Sequence, residues 1–428
     1  MSDPSASVGA RSLVRALVVA AVVWHVLAVC AFGWTQAANE RQGRDYASYH
    51  YALEVARAGG DPYDTRALER ASKGVRRTVN PYFYPPPFLL ALAWIPPGTP
   101  LDVAYRWWFW LDEAALVAAV AALAIWWRAL GPTVGVTLAA AVAAVTAIPN
   151  NHVMGQANLL VLALALGGLA SAAPLDGRAP GRGREIVGGV ALGLACMFKM
   201  APALLVAWLV LRRRPVAVAA ACATAVVSSV LALPLVDAST QLRFYTEVLP
   251  GFSTGDYNGL TVDPSLFGNH SVPNWWDGAL PKPGNGLSTG ARWLSRLTAL
   301  GLVGGLAYAF RRPAPDPLGV ASQASAVMVV MLLVPVYTYE HHVVWAIPAV
   351  VVSAIGLARG RVPGWLAAPV GFAVAAWAFD LAALKELALS VDHLWGQALR
   401  GALQEIKAVA LLILLVATVL AGRGQRAG

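Results

Sequence analysis

Asp45, Tyr49, His50, Glu54, Asp61 and Tyr63 all fall in the stretch "GRDYASYHYALEVARAGGDPYD", residues 43–64, which begins about five residues after an apolar run long enough to cross a bilayer. Other polar groups recur in short stretches: Asn150, Asn151, His152, Gln156 and Asn158, then Asn258, Asn269 and His270, then Glu340, His341 and His342. Lys199 stands alone in the middle of the apolar segment 186–211. A carboxylate at a membrane edge, a buried ammonium and a pair of imidazoles suit a reaction that deprotonates a hydroxyl while an anionic group leaves. The carboxylate would act as general base. The cation and imidazoles would donate to the departing charge. Sugar transfer from a polyprenyl-phosphate carrier has both requirements, and its lipid tail explains a site at the bilayer surface. The chain has no Gly-rich phosphate cradle after a strand, no HExxH and no Gly-x-Ser-x-Gly, which argues against nucleotide coupling, zincin and serine-hydrolase chemistry.

The elements that must position these groups are membrane helices. Of the 428 residues, 58% are hydrophobic and only 13% charged, with a mean hydropathy of +0.58, far from the roughly 25% charged content of soluble domains. The net charge of +9 does not indicate nucleic acid, because the basic residues lie mostly in short loops between apolar runs, as the positive-inside rule requires. Cys30, Cys196 and Cys222 all fall inside apolar runs, which indicates neither a disulfide framework nor a thiolate metal site.

Apolar stretches able to supply spanning helices cover 13–38, 104–127, 133–149, 157–173, 216–236, 291–310, 318–337, 343–358, 364–380 and 406–421. The first is read as an uncleaved helix, being longer than a signal-peptide core and lacking a clean cleavage site. Arg128, Arg178, Arg182, Arg184, Arg212 to Arg214, Arg311, Arg312, Arg359, Arg361, Arg423 and Arg426 mark the cytoplasmic loops. The opposite loops, 39–82, 150–156, 237–290, 338–342 and 381–404, then face outward and carry the polar chemistry. A bacterial inner (plasma) membrane, multi-pass, with the site facing the periplasm or exterior, is the expected location.

Three segments need separate treatment. "YPPPFLLALAWIPPG" at 84–98 is short and bounded by prolines, and reads as re-entrant or interfacial. Residues 186–211 have basic clusters on both flanks and Lys-Met-Ala-Pro in the middle, which predicts a helical hairpin that breaks near Pro202 with Lys199 near its tip. A charge that deep is costly enough to mark a functional site. The stretch 381–404 reads as an amphipathic segment on the outward surface.

"RDYASYHYALEVARAGGDPYD", "YFYPPPFLLAL", "GQANLLVLAL", "FKMAPALLVAWLVLRRRP" and "YEHHVVWAIPAVV", in that order over about residues 40 to 360, resemble the successive signatures of glycosyltransferase family 87. That family contains a mycobacterial polyprenyl-phosphate-mannose-dependent mannosyltransferase. The resemblance implies an all-α polytopic GT-C fold with about 12 membrane helices, including a re-entrant hairpin, in one integral membrane domain over 1–428. Residues 39–98 would form its first outward loop with interfacial helices and 237–290 a large outward loop. It also implies an inverting transfer of mannose or another hexose or pentose, from a polyprenyl-phosphate donor to a lipid or glycan acceptor of the cell envelope. Asp45 maps onto the catalytic base, and His341 and His342 onto the donor phosphate; Lys199 is expected to join them there, because a positive charge at membrane depth needs an anionic partner. Tyr49, Gln156, Asn158 and Glu340 are candidates for sugar or acceptor binding. No cofactor and no metal is expected, since adjacent histidines on a helix point about 100° apart.

Plainer roles exist for several of these residues. Asp45 could cap an interfacial helix, Asp61 before Pro62 suits a turn, and Gln156 and Asn158 could be satisfied polar residues between helices. His152 and His270 read as ordinary surface histidines. A lipid or sugar transporter without covalent chemistry is the alternative class. It needs polar access from both faces, whereas the polar groups here concentrate on one.

Overall fold

The computed structural model describes residues 42–175, 179–262, 267–280, 282–312, 314, 316–379 and 381–423, together with 16, 19–20 and 22–27. Most of the first apolar stretch, as well as Arg178 and Arg426, lies outside them. The described chain is helical apart from one two-stranded hairpin, β1 (Asp256–Tyr257) with β2 (Leu260–Thr261). Two polar-end helices, α1 (Arg44–Arg57) and α2 (Thr65–Ala71), precede a 3-10 turn at Pro86–Ala91. The apolar helices then follow: α3 (Leu101–Trp126), α4 (Thr133–Ala144), α5 (Ala147–Met154), α6 (Asn158–Ala172), α7 (Arg182–Phe198), α8 (Ala203–Leu211) and α9 (Pro215–Leu231). After α10 (Ala238–Arg243) and α11 (Val272–Ala279) come α12 (Thr289–Ala309), α13 (Pro317–Leu333), α14 (Ile347–Ala358), α15 (Ala367–Ala378) and α16 (Leu381–Gly422).

The expected break in 186–211 is present. Helix α7 stops at Phe198, Lys199 is extended (φ −155°, ψ 126°), and α8 starts only after Pro202, which cannot donate its nitrogen and disfavours helix at the residue before it. Glycines show which way the flanking helices run. A Cβ on Gly193 would sit 2.7 Å from the Ala221 carbonyl, and Gly189 abuts Ala217, so α7 and α9 advance side by side in the same direction. Gly188 instead packs on Ala172 and Gly168 on Leu192, so α6 and α7 are antiparallel. Two consecutive parallel helices need a return, and α8 supplies it.

Residues 84–98 fold into a six-residue 3-10 helix and turns, with Phe88, Leu89, Leu92 and Ile95 buried. At about 2 Å rise per residue this helix is too short to cross a bilayer. Residues 381–404 are the first part of α16, which runs unbroken into the last apolar stretch; Ala383–Val391 leaves the preceding helix at 103°.

Three helices are long and apolar enough to span by themselves: Leu101–Leu130, Glu340–Ala358 and Glu405–Gly422. Counting two bent pairs as single spans makes five among the described residues, against the dozen implied by the resemblance. Part of the difference lies in α6, α9 and α13, whose 15 to 17 residues fall short of the roughly 20 that a 30 Å hydrocarbon core needs, and in the break between α7 and α8.

The bundle has two chemically distinct ends. At one, Arg184 donates to the Ala170 carbonyl at 3.0 Å, Arg214 lies 3.6 Å from Glu185, Arg361 pairs with Asp316 at 2.8 Å, and Arg359 donates to Leu130 O. At the other are α1, the start of α6, the Lys199 turn and the 3-10 turn Glu340–Ala346.

Candidate active site

The N-terminus of α1 is fixed against the end of α5 by two glycines with positive φ. Gly43 (φ 66°) donates its N–H to the Val153 carbonyl at 2.7 Å and faces the Tyr105 ring. Gly155 (φ 69°) lies where a Cβ would meet Tyr46 Cβ at 2.6 Å. Only glycine takes this conformation at such close approach without strain. The crowd of tyrosines is the mortar of this junction: Tyr46 packs 5.6 Å from Trp108, and Tyr49 lies 4.9 Å from Phe88 and 4.7 Å from Tyr84, centroid to centroid. The junction sets Asp45 directly opposite Gln156.

Asp45 is buried and does not cap α1: the N-cap is Gly43, and no side chain caps that end. Its Oδ1 accepts from Asn80 Nδ2 at 2.9 Å and its Oδ2 from Gln156 Nε2 at 2.6 Å. Gln156 is held in this sense because its Oε1 accepts from the Tyr84 hydroxyl at 2.7 Å, and Tyr49 donates to that hydroxyl at 2.6 Å. Burial pushes the Asp45 carboxyl up from its ordinary value, and the two amide hydrogen bonds pull it part of the way back. A carboxylate so placed keeps lone pairs for a third donor and is a stronger base than one in water.

Lys199 Nζ donates to Asn158 Oδ1 at 2.5 Å and stands 5.8 Å from the centre of the Tyr84 ring. Asn158 in turn donates to Asn151 Oδ1 at 3.1 Å and to the His341 carbonyl at 3.0 Å, so the lysine and histidine turns are tied through one amide. The two imidazoles lie 4.3 Å apart, and Tyr339 N–H donates to His342 Nδ1 at 3.0 Å. Neutral His342 therefore carries its proton on Nε2, where it is a donor.

Asp45, Asn80, Tyr84, Gln156, Asn158, Lys199, His341 and His342 all border one cavity of about 660 Å³. Its other walls are largely apolar, formed by Leu204 of α8, Ala299 and Val303 of α12, and Met331 and Leu332 of α13, with Phe252, Tyr257 and Leu260 around the β-hairpin. Arg292 and Arg296 line it from the first turns of α12. Asn258 straps the hairpin to the first loop by donating to the Tyr63 carbonyl at 3.0 Å and the Tyr82 carbonyl at 2.8 Å.

Other candidates lie elsewhere. Tyr49 sits behind Tyr84 and does not border the cavity. Glu340 points away from it, accepting from Thr146 Oγ1 and Lys407 Nζ, each at 2.5 Å, with His270 Nε2 at 3.4 Å. Asp61 holds its turn by accepting from Tyr63 N–H and pairs with Arg243 at 2.8 Å, and Glu54 faces Arg57 at 3.4 Å. His152 and His270 are not surface residues: both are buried, one 2.6 Å from Glu113 and the other beside Glu340. Glu113 sits inside the apolar run 104–127 and Glu340 is itself buried, and in such places a histidine gains more from pairing than from water.

Asn80 and Tyr84 are site residues that sequence reasoning did not single out, although Tyr84 stands in the quoted "YFYPPPF". Asp112 is another residue it passed over. An acid in the apolar run 104–127 carries the same intramembrane-charge signal that marked Lys199.

A helical bundle with apolar spans, with a buried carboxylate and a half-buried lysine on one cavity, fits a membrane enzyme. The pattern of glycosyltransferase family 87 matches residues 82–335, more than half of the 428 residues, and the chain belongs to that family. It is a membrane glycosyltransferase. No curated protein matches it. The matched span contains Tyr84, Gln156, Asn158 and Lys199 but neither Asp45 nor the His341–His342 pair, whose assignments rest on the geometry above.

Proposed function

We propose that the protein is a GT-C enzyme that moves a sugar, mannose or another hexose or pentose, from a polyprenyl-phosphate donor to a lipid or glycan acceptor. The observation that carries this reading is that Asp45, Lys199, His341 and His342 border one cavity whose remaining walls are largely apolar. The sugar phosphate occupies the polar end, and the polyprenyl chain runs along Leu204, Ala299, Val303, Met331 and Leu332. Lys199 and the donor face of His342, with His341 beside it, hold the phosphate.

The reaction is a single displacement. The acceptor oxygen attacks the anomeric carbon from the face opposite the phosphate, and its proton passes to Asp45. The bond from anomeric carbon to phosphate oxygen breaks, and polyprenyl phosphate departs with the bonding pair, which inverts the anomeric configuration. The phosphate needs charge stabilisation and no general acid, so one carboxylate suffices where glycoside hydrolases use two. Gln156 and Asn158 serve the sugar or acceptor as well as their neighbours; Tyr49 acts through Tyr84.

The site faces the periplasm or exterior of a bacterial inner membrane on this reading, because the short loops at the other end of the bundle carry Arg184, Arg214, Arg359 and Arg361. A reporter fused after Gly278 reads outside on this topology, and a cytoplasmic signal there would reverse it. The transfer itself is tested by incubating the purified protein with a panel of radiolabelled polyprenyl-phosphate sugars and native lipid extract. One donor yields a labelled product. No product from any donor, with lipid extract and with glycan acceptors, rejects the reading.

A further inference from the structure

We propose that Asp112, which does not border the cavity, is a positioning residue that orients Lys199 through a relay of two asparagine amides. The proposal rests on the reading of Lys199 as the donor-phosphate cation. Asp112 lies in the apolar helix α3 and is only 1% exposed. Its Oδ2 accepts from Asn151 Nδ2 at 2.6 Å, and the second N–H of that amide goes to the Gln156 carbonyl at 3.0 Å. With both N–H groups of Asn151 engaged, its oxygen is turned toward Asn158, from which it accepts at 3.1 Å. Asn158 spends its other N–H on the His341 carbonyl, so its oxygen in turn faces Lys199.

A side-chain amide has one accepting end and one donating end. Fixing one end of such a chain fixes the other: an acceptor at Asp112 presents an acceptor to Lys199 two residues later. The same amide of Asn151 also holds the backbone of Gln156, the residue that orients Asp45. One buried acceptor behind the site thus sets the lysine, the His341 turn and the approach to the base. Asn151 and Asn158 are both 0% exposed, so water does not compete for these bonds, and an unmet partner there is costly.

The test measures binding of radiolabelled polyprenyl phosphate, the donor without its sugar, to purified full-length variants, alongside their thermal unfolding. Asp112→Asn keeps an acceptor oxygen toward Asn151 and retains parental affinity. Asp112→Leu removes the acceptor and weakens binding about 10- to 100-fold. Asn151→Asp sets two carboxyl groups against each other, strips the N–H from the Gln156 carbonyl and weakens it similarly, and Asp112→Asn with Asn151→Asp restores the donor–acceptor pair between 112 and 151 and recovers part of the loss, the Gln156 carbonyl staying unmet. The double variant keeps the proposal falsifiable should Asp112→Leu fail to fold. Affinity within twofold of parental in Asn151→Asp, or a double variant no better than Asn151→Asp alone, overturns the relay. So does a change in unfolding temperature without a change in affinity. A parental protein that binds no polyprenyl phosphate rejects the donor reading itself, which separates the two failures.

Discussion

Gln156 donates to Asp45 Oδ2 at 2.6 Å across 111 residues of sequence, while its side-chain Oε1 accepts from the Tyr84 hydroxyl at 2.7 Å. Asn80 holds the other carboxylate oxygen at 2.9 Å. The carboxylate is therefore oriented by two neutral donors in a buried place, while the charges of Lys199 and Arg44 act on it from further away and favour its ionised form.

The pH dependence of activity follows from these bonds. Burial is the largest influence on Asp45 and raises its pKa, and the Gln156 and Asn80 hydrogen bonds lower it. The base must be ionised, so activity falls as pH drops through that raised pKa, and the acid limb of kcat/KM lies above the ordinary carboxylate range of about 4. Asn80→Ala removes one bond that favours the charged form, so the limb moves to still higher pH. A pH profile of the variant checks this. A limb that stays in place, or moves down, assigns the titration to another group.

Lys199→Ala is expected to weaken donor binding and leave acceptor binding nearly unchanged. Among the described residues it forms no ion pair, its hydrogen bond going to the neutral oxygen of Asn158, and with the more distant Asp45 carboxylate offsetting part of its charge a half-buried ammonium still gains from an anionic ligand. Loss of a charge-assisted contact corresponds to about 10- to 100-fold in donor KM. Equal donor KM in variant and parent removes the lysine from the phosphate site.

Glu340 predicts a different signature. It forms a buried pair with Lys407, and truncating one partner of such a pair costs about 3–5 kcal/mol because the other charge is stranded. Glu340→Gln should lower the unfolding temperature and folded yield while donor and acceptor KM of the folded fraction stay parental. A selective rise in acceptor KM with unchanged stability would return Glu340 to the binding site.

The contrast between Glu340 and its neighbours shows what the sequence could convey. Charge or amide in an apolar setting is expensive, so Lys199, Gln156, Asn158 and the His pair stood out by type alone, as did the proline break that turns the chain at Lys199. Facing was less legible. Residues 340–346 form a 3-10 helix, where successive side chains point about 120° apart, so Glu340 turns to Lys407 while His341 and His342 reach the cavity. Asn80 and Tyr84 sit in a Pro-rich loop whose composition looks the same whether its side chains meet solvent or Asp45. Their role depends on the Gly43 and Gly155 contacts that bring the loop, α1 and α6 together. The number of spans was obscured for a related reason: apolar runs of similar hydropathy fold into helices of 8 to 42 residues, because Pro, Gly and buried polar turns break some of them and not others.

Asp45 is the only carboxylate among the described residues that border the cavity, and that makes its substitution the most decisive test. An acceptor hydroxyl is too weak an acid to attack unaided at neutral pH, and a base within about 2.6–3.2 Å takes its proton as the new bond forms. Asp45→Asn keeps the volume and an oxygen that accepts from Gln156 or Asn80, so the α1 junction at Gly43 and Gly155 is preserved. It removes the basicity. Turnover should fall on the order of 10² to 10⁴-fold, with protein abundance and binding of polyprenyl phosphate close to parental. Glu54 and Asp61, the nearest acids in sequence, are engaged with Arg57 and Arg243 and cannot take over from outside the cavity. Near-parental turnover in Asp45→Asn would mean that the acceptor proton leaves by another route, and the assignment of Asp45 as base would fall with it.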